Sequence, residues 1–572
     1  MFTAATSTIQ GIDENDLHTK LTAFALLALT EAALAAEVPS AGSVLQQIPS
    51  AGVPEMVVPE LRIEKGEIST PAAVHAVRIA VNTLHLSNAR AFPVAELIAV
   101  TGFRPGSELS LAQLRDFATR ITNYYRSRGY FLAQAHLPAQ DIVDGAVTIA
   151  IVEGQYGKVV LRNLSNLSDD VALRLLAGIN DGDIITIAPL ESRLLQLADL
   201  PGVSVKSTLV PGASVGASDL IVDVANEKRV SGSIDLDNSG GRYTGEYRTG
   251  ATVNFNNALG RGDVATLRAL TSWDGLNYGR AAYQLQAGRA DVGVAYTALR
   301  YELGREFESL HAHGTAEITS LYGRYPLIRS RNNSLYAQLA LDGKTFQDKL
   351  DVTSPPTVTD KKTRVAMTTL MGDHRDSLGG GGWSTYSLTW TSGSLDLQSP
   401  AAAQTDAITA RSEGHYDRLG LSVTRSQRVT DAFSLYGALQ GQLASQNLDI
   451  SEKTGLGGAN SVRAYPEGEA YVDQGYAVTV EARLTLPKMF VSMPGDWQVI
   501  GFVDSGSGRA DKDPWSAGRN RRTLTGGGVG LNWFDARSFV IKAYYAHTMG
   551  AAAATSAPDK DGRFWINSVK YF

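Results

Sequence analysis

The sequence contains no cysteine among its 572 residues, which excludes disulfide bonds and thiolate metal sites and is compatible with an oxidising compartment. Charged residues are scarce at 19%, against about 25% in typical soluble domains. The net charge of -6 provides no basic surface, so nucleic acid is not an expected partner. Nowhere does the chain reach about 18 consecutive apolar residues, which excludes an inner-membrane protein built of spanning helices.

One apolar segment lies near the start, from Leu21 to Ala36. It is too short for a spanning helix of about 20 residues, and it ends in small residues of the type that precede a cleavage site. We interpret residues 1–35 as a secretory signal peptide; an amphipathic N-terminal helix is the alternative. The Pro-rich residues 36–74 predict a linker with at most one short helical turn, around residues 43–48.

Two segments with the same order of elements follow the linker, at residues 75–154 and 155–228. Each reads as strand, helix, helix, strand and strand, and Gly106 aligns with Gly182 at an offset of 76 residues that holds along the repeat. Each copy is large enough for a small sheet with one covered face. The edges of such a sheet are expected to stay available to another chain.

From residue 229 to the end, apolar and polar residues alternate along segments that turn residues separate. Leu435 and Leu439, for example, alternate with polar residues such as Gln440 and Gln442. A transmembrane barrel needs this pattern, with apolar side chains towards lipid and polar side chains towards the lumen. At about 20 residues for each strand and its connection, residues 229–572 predict about 16 antiparallel strands. A soluble β-sandwich would alternate in the same way, but a single soluble core of this length is hard to fill.

Three segments and the order of elements carry a family resemblance. The segments are AGSVLQQIP at 41–49, LADLPGVSV at 197–205 and DNSGGRYTGEYRTGATVNFNNALGRGD at 237–263. They resemble the outer-membrane transporters of two-partner secretion, the TpsB family of the Omp85 superfamily, of the haemolysin-activator and filamentous-haemagglutinin-transporter type. The resemblance implies that the two repeated units are POTRA domains. It also implies a candidate plug helix in the linker, as in some relatives.

The most specific motifs of that family are a Val-Arg-Gly-Tyr loop and a Phe-x-Asp strand. Here they read Val462-Arg463-Ala464-Tyr465 and Phe502-Val503-Asp504, and Gly506 also belongs to the strand motif. The resemblance implies that the loop at 453–475 folds back into the barrel, where Asp504 holds Arg463 as a conformational ion pair. Ala464 stands where glycine is usual, and it would be strained if its φ were positive.

The strand pattern supports the same pairing on physical grounds. In WQVIGFVDSG, Val499 and Val503 share one face, so Asp504 points into the lumen if the valines meet lipid. A carboxylate in a partly dry site favours arginine, which forms bidentate pairs. The alternatives are that Arg463 is a solvated loop residue, which is usual for arginine, or that the inward-facing Glu481 competes as its partner.

Motifs that would indicate an enzyme occur in the wrong context. GASVG at 212–216 matches the G-x-S-x-G pattern of esterases, but it lies between two strands, whereas a nucleophile elbow joins a strand to a helix. The glycine-rich TGGGVGLNW at 525–533 leads into a strand, so it cannot cradle a phosphate at a helix start. The nine histidines show no metal-ligand spacing. We therefore expect no catalytic residue, no cofactor and no metal.

The leading hypothesis is an outer-membrane pore of a Gram-negative bacterium, with its POTRA domains in the periplasm. A large exoprotein with an N-terminal secretion domain would arrive unfolded, bind by strand addition and leave through the barrel without nucleotide hydrolysis. The barrel is expected to be monomeric and surrounded by outer-membrane lipid. The alternatives are an Omp85 assembly factor that inserts other outer-membrane proteins, which usually has a longer POTRA array, and a passive porin, which would not explain the repeats.

Overall fold

A computed structural model describes residues 38–49, 60–63, 78–488, 494–535 and 538–572. In this part of the chain, two small α/β units precede a closed β-barrel, and a short helix lies in the lumen. The predicted signal peptide and most of the predicted linker lie outside the described residues. Of the helices that the structure describes, none has the length and apolar character to cross a membrane.

The elements before the barrel belong to the lumen helix, the linker and the two units. In chain order they are α1 (Ala41–Gln46), β1 (Glu60–Ile63), β2 (Arg78–Val81), β3 (Thr83–Ser87), α2 (Val94–Thr101), β4 (Ser107–Ser110), α3 (Leu111–Ser127), β5 (Gln134–His136), β6 (Ala146–Val152), β7 (Gln155–Leu164), α4 (Asp169–Leu176), α5 (Ile187–Ala198), β8 (Val203–Pro211) and β9 (Ala217–Asn226). The first unit has the sheet β3-β6-β5, and the second has the sheet β1-β8-β9-β7.

The core of the first unit lies between its sheet and helices α2 and α3. Val147, Ile149 and Ile151 alternate along β6 and are at most 1% exposed. They pack against the apolar stripe of α3, which the helical spacing of its buried residues produces. At the end of β6 the buried Glu153 accepts hydrogen bonds from the amides of residues 90 and 91, at 2.7 and 2.8 Å, and from Tyr125 at 2.8 Å.

The first strand of this unit differs from the prediction. The residues of VHAVRIAVNTLHL, at 74–86, are strand-like and predict a single strand, but from residue 78 onwards the structure has two strands, β2 and β3. The amides of Asn82 and Thr83 both donate to the Gly145 carbonyl, at 2.8 and 3.3 Å. Strand β2 then pairs antiparallel with β4, whereas β3 pairs parallel with β6. The break is required because the two halves belong to different sheets.

A strand also forms where the sequence predicts only linker. Strand β1 pairs in parallel with β8, from Glu60 opposite Lys206 to Ile63 opposite Leu209. Its backbone groups satisfy the edge groups that β8 would otherwise leave unpaired. The expectation that the sheet edges of both units stay available is therefore wrong for this edge, because the chain covers it with its own linker.

The barrel has sixteen antiparallel strands, which confirms the predicted number. The elements from here to the end are β10 (Val230–Asp237), β11 (Arg248–Asn256), β12 (Val264–Thr271), β13 (Leu276–Ala287), β14 (Ala290–Glu302), β15 (Ala312–Arg329), β16 (Asn333–Leu350), β17 (Thr357–Asp376), β18 (Gly382–Leu397), α6 (Pro400–Ile408), β19 (Gly414–Arg428), β20 (Phe433–Ala444), β21 (Thr454–Leu456), β22 (Ala470–Val472), β23 (Gln474–Thr485), β24 (Asp496–Arg509), β25 (Arg521–Asp535), β26 (Phe539–Thr548) and β27 (Gly562–Tyr571). Strand β20 pairs with β23, and β27 closes the barrel on β10. Short 3₁₀ helices lie at Arg305–Leu310, Leu378–Gly380 and Ile450–Glu452.

The strands alternate between the two faces of the barrel as the sequence predicts. Leu435, Leu439 and Leu443 of β20 are exposed on the outer face, whereas Gln442 is buried on the inner face. Val499 and Val503 of β24 are likewise exposed outwards. The outer face therefore presents apolar side chains, as contact with lipid requires.

The second unit is joined to the turns at one end of the barrel. Asp199, just after α5, accepts two hydrogen bonds from Arg329 at the end of β15, both at 2.7 Å. The Ser168 amide donates to the Gly260 carbonyl in the turn between β11 and β12, at 2.8 Å. These contacts fix which end of the barrel faces the two units.

The connection between β20 and β23 folds into the lumen. We call residues 445–473 the inner loop; they include a 3₁₀ helix and the hairpin of β21 and β22. Helix α1 lies beside the inner loop, and it begins two residues before the helical turn that the sequence predicts. Both segments occupy the interior that the barrel encloses.

Candidate functional site

The candidate site is the tip of the inner loop against strands β23 and β24. Asp504 points into the lumen from β24 and is fully buried, since its neighbour Val503 faces outwards. Arg463 comes from the loop and is 4% exposed. Strand parity and the fold of the loop thus bring together the two residues that the sequence analysis singles out.

Arg463 and Asp504 form a bidentate ion pair. Arg463 donates through Nε to Oδ2 at 2.9 Å and through Nη2 to Oδ1 at 2.8 Å. The backbone amide of Arg463 also donates to Oδ2, at 3.1 Å. Thr479 Oγ1 on β23 donates to Oδ1 of Asp504 at 2.9 Å. The carboxylate therefore has four donors, so its negative charge is well compensated in a buried place.

Glu481 is a second partner of the same arginine rather than a competing one. Arg463 Nη1 donates to Glu481 Oε1 at 2.8 Å, while its other nitrogens bond to Asp504. The remaining oxygen of Glu481 accepts from Arg483, whose Nη2 lies 2.7 Å away. The site is thus a chain of two arginines and two carboxylates that balances its own charge.

Aromatic residues enclose the guanidinium. Its central carbon lies 3.5 Å from the centre of the Phe502 ring and 5.0 Å from that of Tyr544. Trp565 Nε1 donates to the Arg463 carbonyl at 2.7 Å. Cation–π contacts of this kind stabilise a desolvated arginine by about 2 kcal/mol. Tyr544 and Trp565 belong to neither sequence motif, although the alternation along β26 and β27 turns both inwards.

The other residues of the two motifs pack the loop tip onto the wall. Val462 and Tyr465 are fully buried, and Tyr465 Oη donates to the Ala552 carbonyl at 2.9 Å. A Cβ on Gly506 would lie 3.1 Å from Val462 Cγ2, so the absence of a side chain at 506 lets the loop approach β24 closely.

Ala464 is accommodated without backbone strain. Its φ is not positive, so the conformation does not require glycine. The methyl group of Ala464 lies over Gly526, where an added Cβ would be only 2.3 Å away. A glycine on the wall thus provides the space for the methyl group that the loop carries.

Further ion pairs hold the inner loop along its length. Asp449 accepts from Lys361 at 2.9 Å, and Glu452 accepts from Lys344 at 2.7 Å. On the returning half, Glu469 is fully buried at its carboxylate and pairs with Arg522. No sequence motif marks these six residues, because they lie on strands and loops far apart in the chain.

Comparison with known proteins identifies this architecture. The family described as haemolysin secretion/activation protein ShlB/FhaC/HecB matches residues 216–533, and the POTRA domain of ShlB type matches residues 79–154. The chain belongs to the ShlB/FhaC/HecB family. Members of this family are two-partner secretion transporters of the Omp85 superfamily.

Similar proteins agree with the assignment. The heme/hemopexin transporter protein HuxB of Haemophilus influenzae (strain 86-028NP) is 30% identical over 82% of this chain and 82% of its own length. The outer membrane transporter CdiB of Dickeya dadantii is 25% identical over 63% of this chain and 64% of its own. The solved structure of CdiB from Escherichia coli has the same fold, with a TM-score of 0.69 and 20% identity over 88% of this chain and 93% of that one.

The family assignment determines location and general function. This ShlB/FhaC/HecB-family chain is an outer-membrane transporter that secretes a partner exoprotein. Its POTRA domain lies in the periplasm, so the barrel turns that contact the second unit form the periplasmic end.

Proposed function

We propose that the transporter takes its exoprotein unfolded from the periplasm by adding a strand of it to the second unit. The observation that supports this is the parallel pairing of β1 with β8. Strand addition relies on main-chain hydrogen bonds, so a strand of the exoprotein can replace the four residues of β1 at the same edge. The linker then acts as a tethered competitor for that edge.

The later steps of transport depend on helix α1, which occupies the lumen. We propose that α1 leaves its place, that the exoprotein passes as an extended chain and that its folding outside supplies the direction. Transport would then need no nucleotide hydrolysis and no catalytic residue in this chain. The barrel would act as a monomer in outer-membrane lipid, and Arg463 would keep the loop tip in a transport-competent position.

The domain boundaries belong to the same proposal. Residues 1–35 would be removed as a signal peptide, and residues 36–74 would form a linker that carries α1 and β1. Residues 75–154 and 155–228 would be POTRA domains that present the exoprotein to the barrel of residues 229–572.

The experiment compares the purified full chain with a variant in which Leu61→Pro and Arg62→Pro disrupt β1. Binding of an unfolded N-terminal fragment of the exoprotein is measured by fluorescence anisotropy. We expect an affinity of about micromolar for the unaltered chain, because ordering the fragment offsets much of the contact energy. The variant should bind about tenfold more tightly, because a tethered strand competes at a high effective concentration.

The matched control carries Val57→Pro and Val58→Pro in the same linker and should bind like the unaltered chain. Equal affinities for all three proteins would contradict competition by β1. Equally tight binding of a folded fragment would contradict capture of the unfolded exoprotein.

A further inference from the structure

Helix α1 and the residues after it are held in the lumen by more backbone than side-chain hydrogen bonds. Two side-chain bonds go to the inner loop, from Gln46 Nε2 to Ile450 O (2.5 Å) and from Gln47 Nε2 to Tyr471 Oη (3.1 Å), and four bonds involve the backbone. In the backbone bonds, the Ala41 amide donates to Asp348 Oδ1 at 2.7 Å, and three backbone carbonyls accept from barrel or loop side chains. Ser43 O accepts from Tyr471 Oη (3.2 Å), Gln47 O from Arg248 Nη1 (2.7 Å) and Pro49 O from Arg268 Nη2 (3.4 Å). Such bonds do not depend on which side chain a residue carries. The lumen therefore binds this segment as a peptide backbone more than as a particular sequence.

Most of the groups that make these bonds are held in place by the barrel itself. Arg248, Arg268 and Asp348 each form another hydrogen bond to a residue of the barrel wall. These bonds are Arg248 Nε to Asp237 Oδ1 (2.9 Å), Arg268 Nη1 to Asp235 Oδ1 (3.1 Å) and Tyr301 Oη to Asp348 Oδ1 (2.8 Å). None of these bonds involves α1, so its departure leaves the three groups oriented towards the lumen. A preorganised site binds another chain without first ordering its own side chains.

The space around α1 accepts apolar side chains but has no room for a large side chain at residue 42. We call the space around residues 41–49 the plug slot. Ala41 and Val44 are at most 1% exposed and belong to one apolar cluster with Leu299 and Phe346 of the barrel wall. A Cβ on Gly42 would lie 2.7 Å from the Cβ of Ser451. A segment with glycine at this position therefore fits, whereas a large side chain there does not.

The plug slot adjoins open space inside the barrel. A cavity of 440 Å³ is lined by Pro49, Arg248 and Arg268, and also by Arg463 at the loop tip. A polypeptide that reaches this cavity meets the two arginines of the slot. The slot therefore adjoins open space within the lumen, next to the loop tip.

We propose that the plug slot is a main-chain binding site that the exoprotein uses during transport once α1 has left. Asp348 would accept a backbone N–H of the passing chain, and Arg248 and Arg268 would donate to its carbonyls. Segments with small residues at the positions of Ala41 and Gly42 and an apolar residue at that of Val44 would bind best, and the remaining side chains would matter less. The inference rests on the proposed passage of an extended exoprotein through the lumen.

The test uses the full-length chain from which residues 38–49 are deleted, in planar lipid bilayers. The probe is a synthetic peptide of residues 38–49, and the readout is its block of the pore conductance. A second peptide changes Gln46 and Gln47 to Ala, and a third is N-methylated at Ala41. We expect the third to block at least about tenfold more weakly than the parent, because a hydrogen bond to a charged group is lost. The second should lose less than the third, because its two lost side-chain bonds join neutral groups.

Two further comparisons separate the slot from the rest of the lumen. A peptide with Gly42→Leu should block at least about tenfold more weakly, because the added side chain overlaps Ser451. In the deleted chain, Asp348→Ala should weaken block by the parent peptide but not by the N-methylated one. Asp342→Ala, on the same face of β16, is the matched control and should change neither. Heat-modifiable migration shows whether each barrel is folded.

Block that survives N-methylation but is lost with the two glutamine changes would overturn the proposal, because the slot would then recognise one sequence. Absence of block by the parent peptide on a folded pore would also overturn it. Secretion of the exoprotein by cells with the unaltered chain tests the proposed function separately. If cells secrete the exoprotein normally but the parent peptide does not block the folded pore, only the plug-slot proposal is rejected. If cells with the unaltered chain do not secrete the exoprotein, the proposed function is rejected.

Discussion

Removing the Arg463 side chain tests the role of the loop tip most directly. In Arg463→Ala, Asp504 loses its two guanidinium donors but keeps Thr479 and the backbone amide of residue 463. Glu481 keeps its bond to Arg483. Breaking a buried ion pair usually costs about 3–5 kcal/mol, and the remaining donors place this case near the lower end. The loss of the contact with Phe502 adds about 2 kcal/mol.

This cost falls on the loop tip rather than on the barrel. The pairs of Asp449 with Lys361 and of Glu452 with Lys344 are untouched, as are all strand pairings. The inner loop should therefore stay in the lumen while its tip loses a defined position. We expect nearly normal amounts of heat-modifiable barrel in the outer membrane and a sharp fall in secreted exoprotein.

The assay measures exoprotein in the medium against folded barrel in the membrane. Asp504→Ala should give the same result as Arg463→Ala, and the double variant should be no worse than either, because paired residues are not additive. The matched control is Arg425→Ala, which removes another bidentate pair, with Asp376, elsewhere in the barrel. Normal secretion by Arg463→Ala at normal barrel levels would refute the reasoning, and strictly additive losses would assign the two residues separate roles.

Two other substitutions follow from close contacts. Gly526→Ala places a Cβ only 2.3 Å from the Cβ of Ala464, so we expect reduced secretion of the exoprotein. Adding Ala464→Gly removes the overlap and should restore secretion in the double variant. Failure of this rescue would mean that Gly526 is needed for another reason. In the first unit, Glu153→Ala leaves the amides of residues 90 and 91 and the Tyr125 hydroxyl without their acceptor. Burial and the bond to Glu153 raise the pKa of Tyr125, so its hydroxyl stays a donor. The first unit should therefore lose about 1–3 kcal/mol of unfolding free energy, which is measured as a lower urea midpoint. An unchanged midpoint would contradict a stabilising role for the hydrogen bonds to Glu153.

The sequence by itself determined the barrel and the direction in which its side chains point. The alternation along β20 and β24 has a period of two residues, and it places Leu435 and Val503 outwards and Asp504 inwards whatever the neighbouring strands are. The repeated units follow in the same way from local apolar spacing and a constant offset. With the family resemblance, these patterns were enough to select Arg463 and Asp504 as partners.

The tertiary structure alone decided which residues from distant parts of the chain face one another. Lys361 and Asp449 are 88 residues apart in the chain, and Lys344 and Glu452 are 108 apart, so their pairing depends on which strands face each other across the lumen. The same holds for β1, which has no alternation to mark it and forms because β8 offers an unpaired edge. The ease with which Ala464 fits likewise depends on Gly526, because the space for a methyl group is a property of the opposing wall.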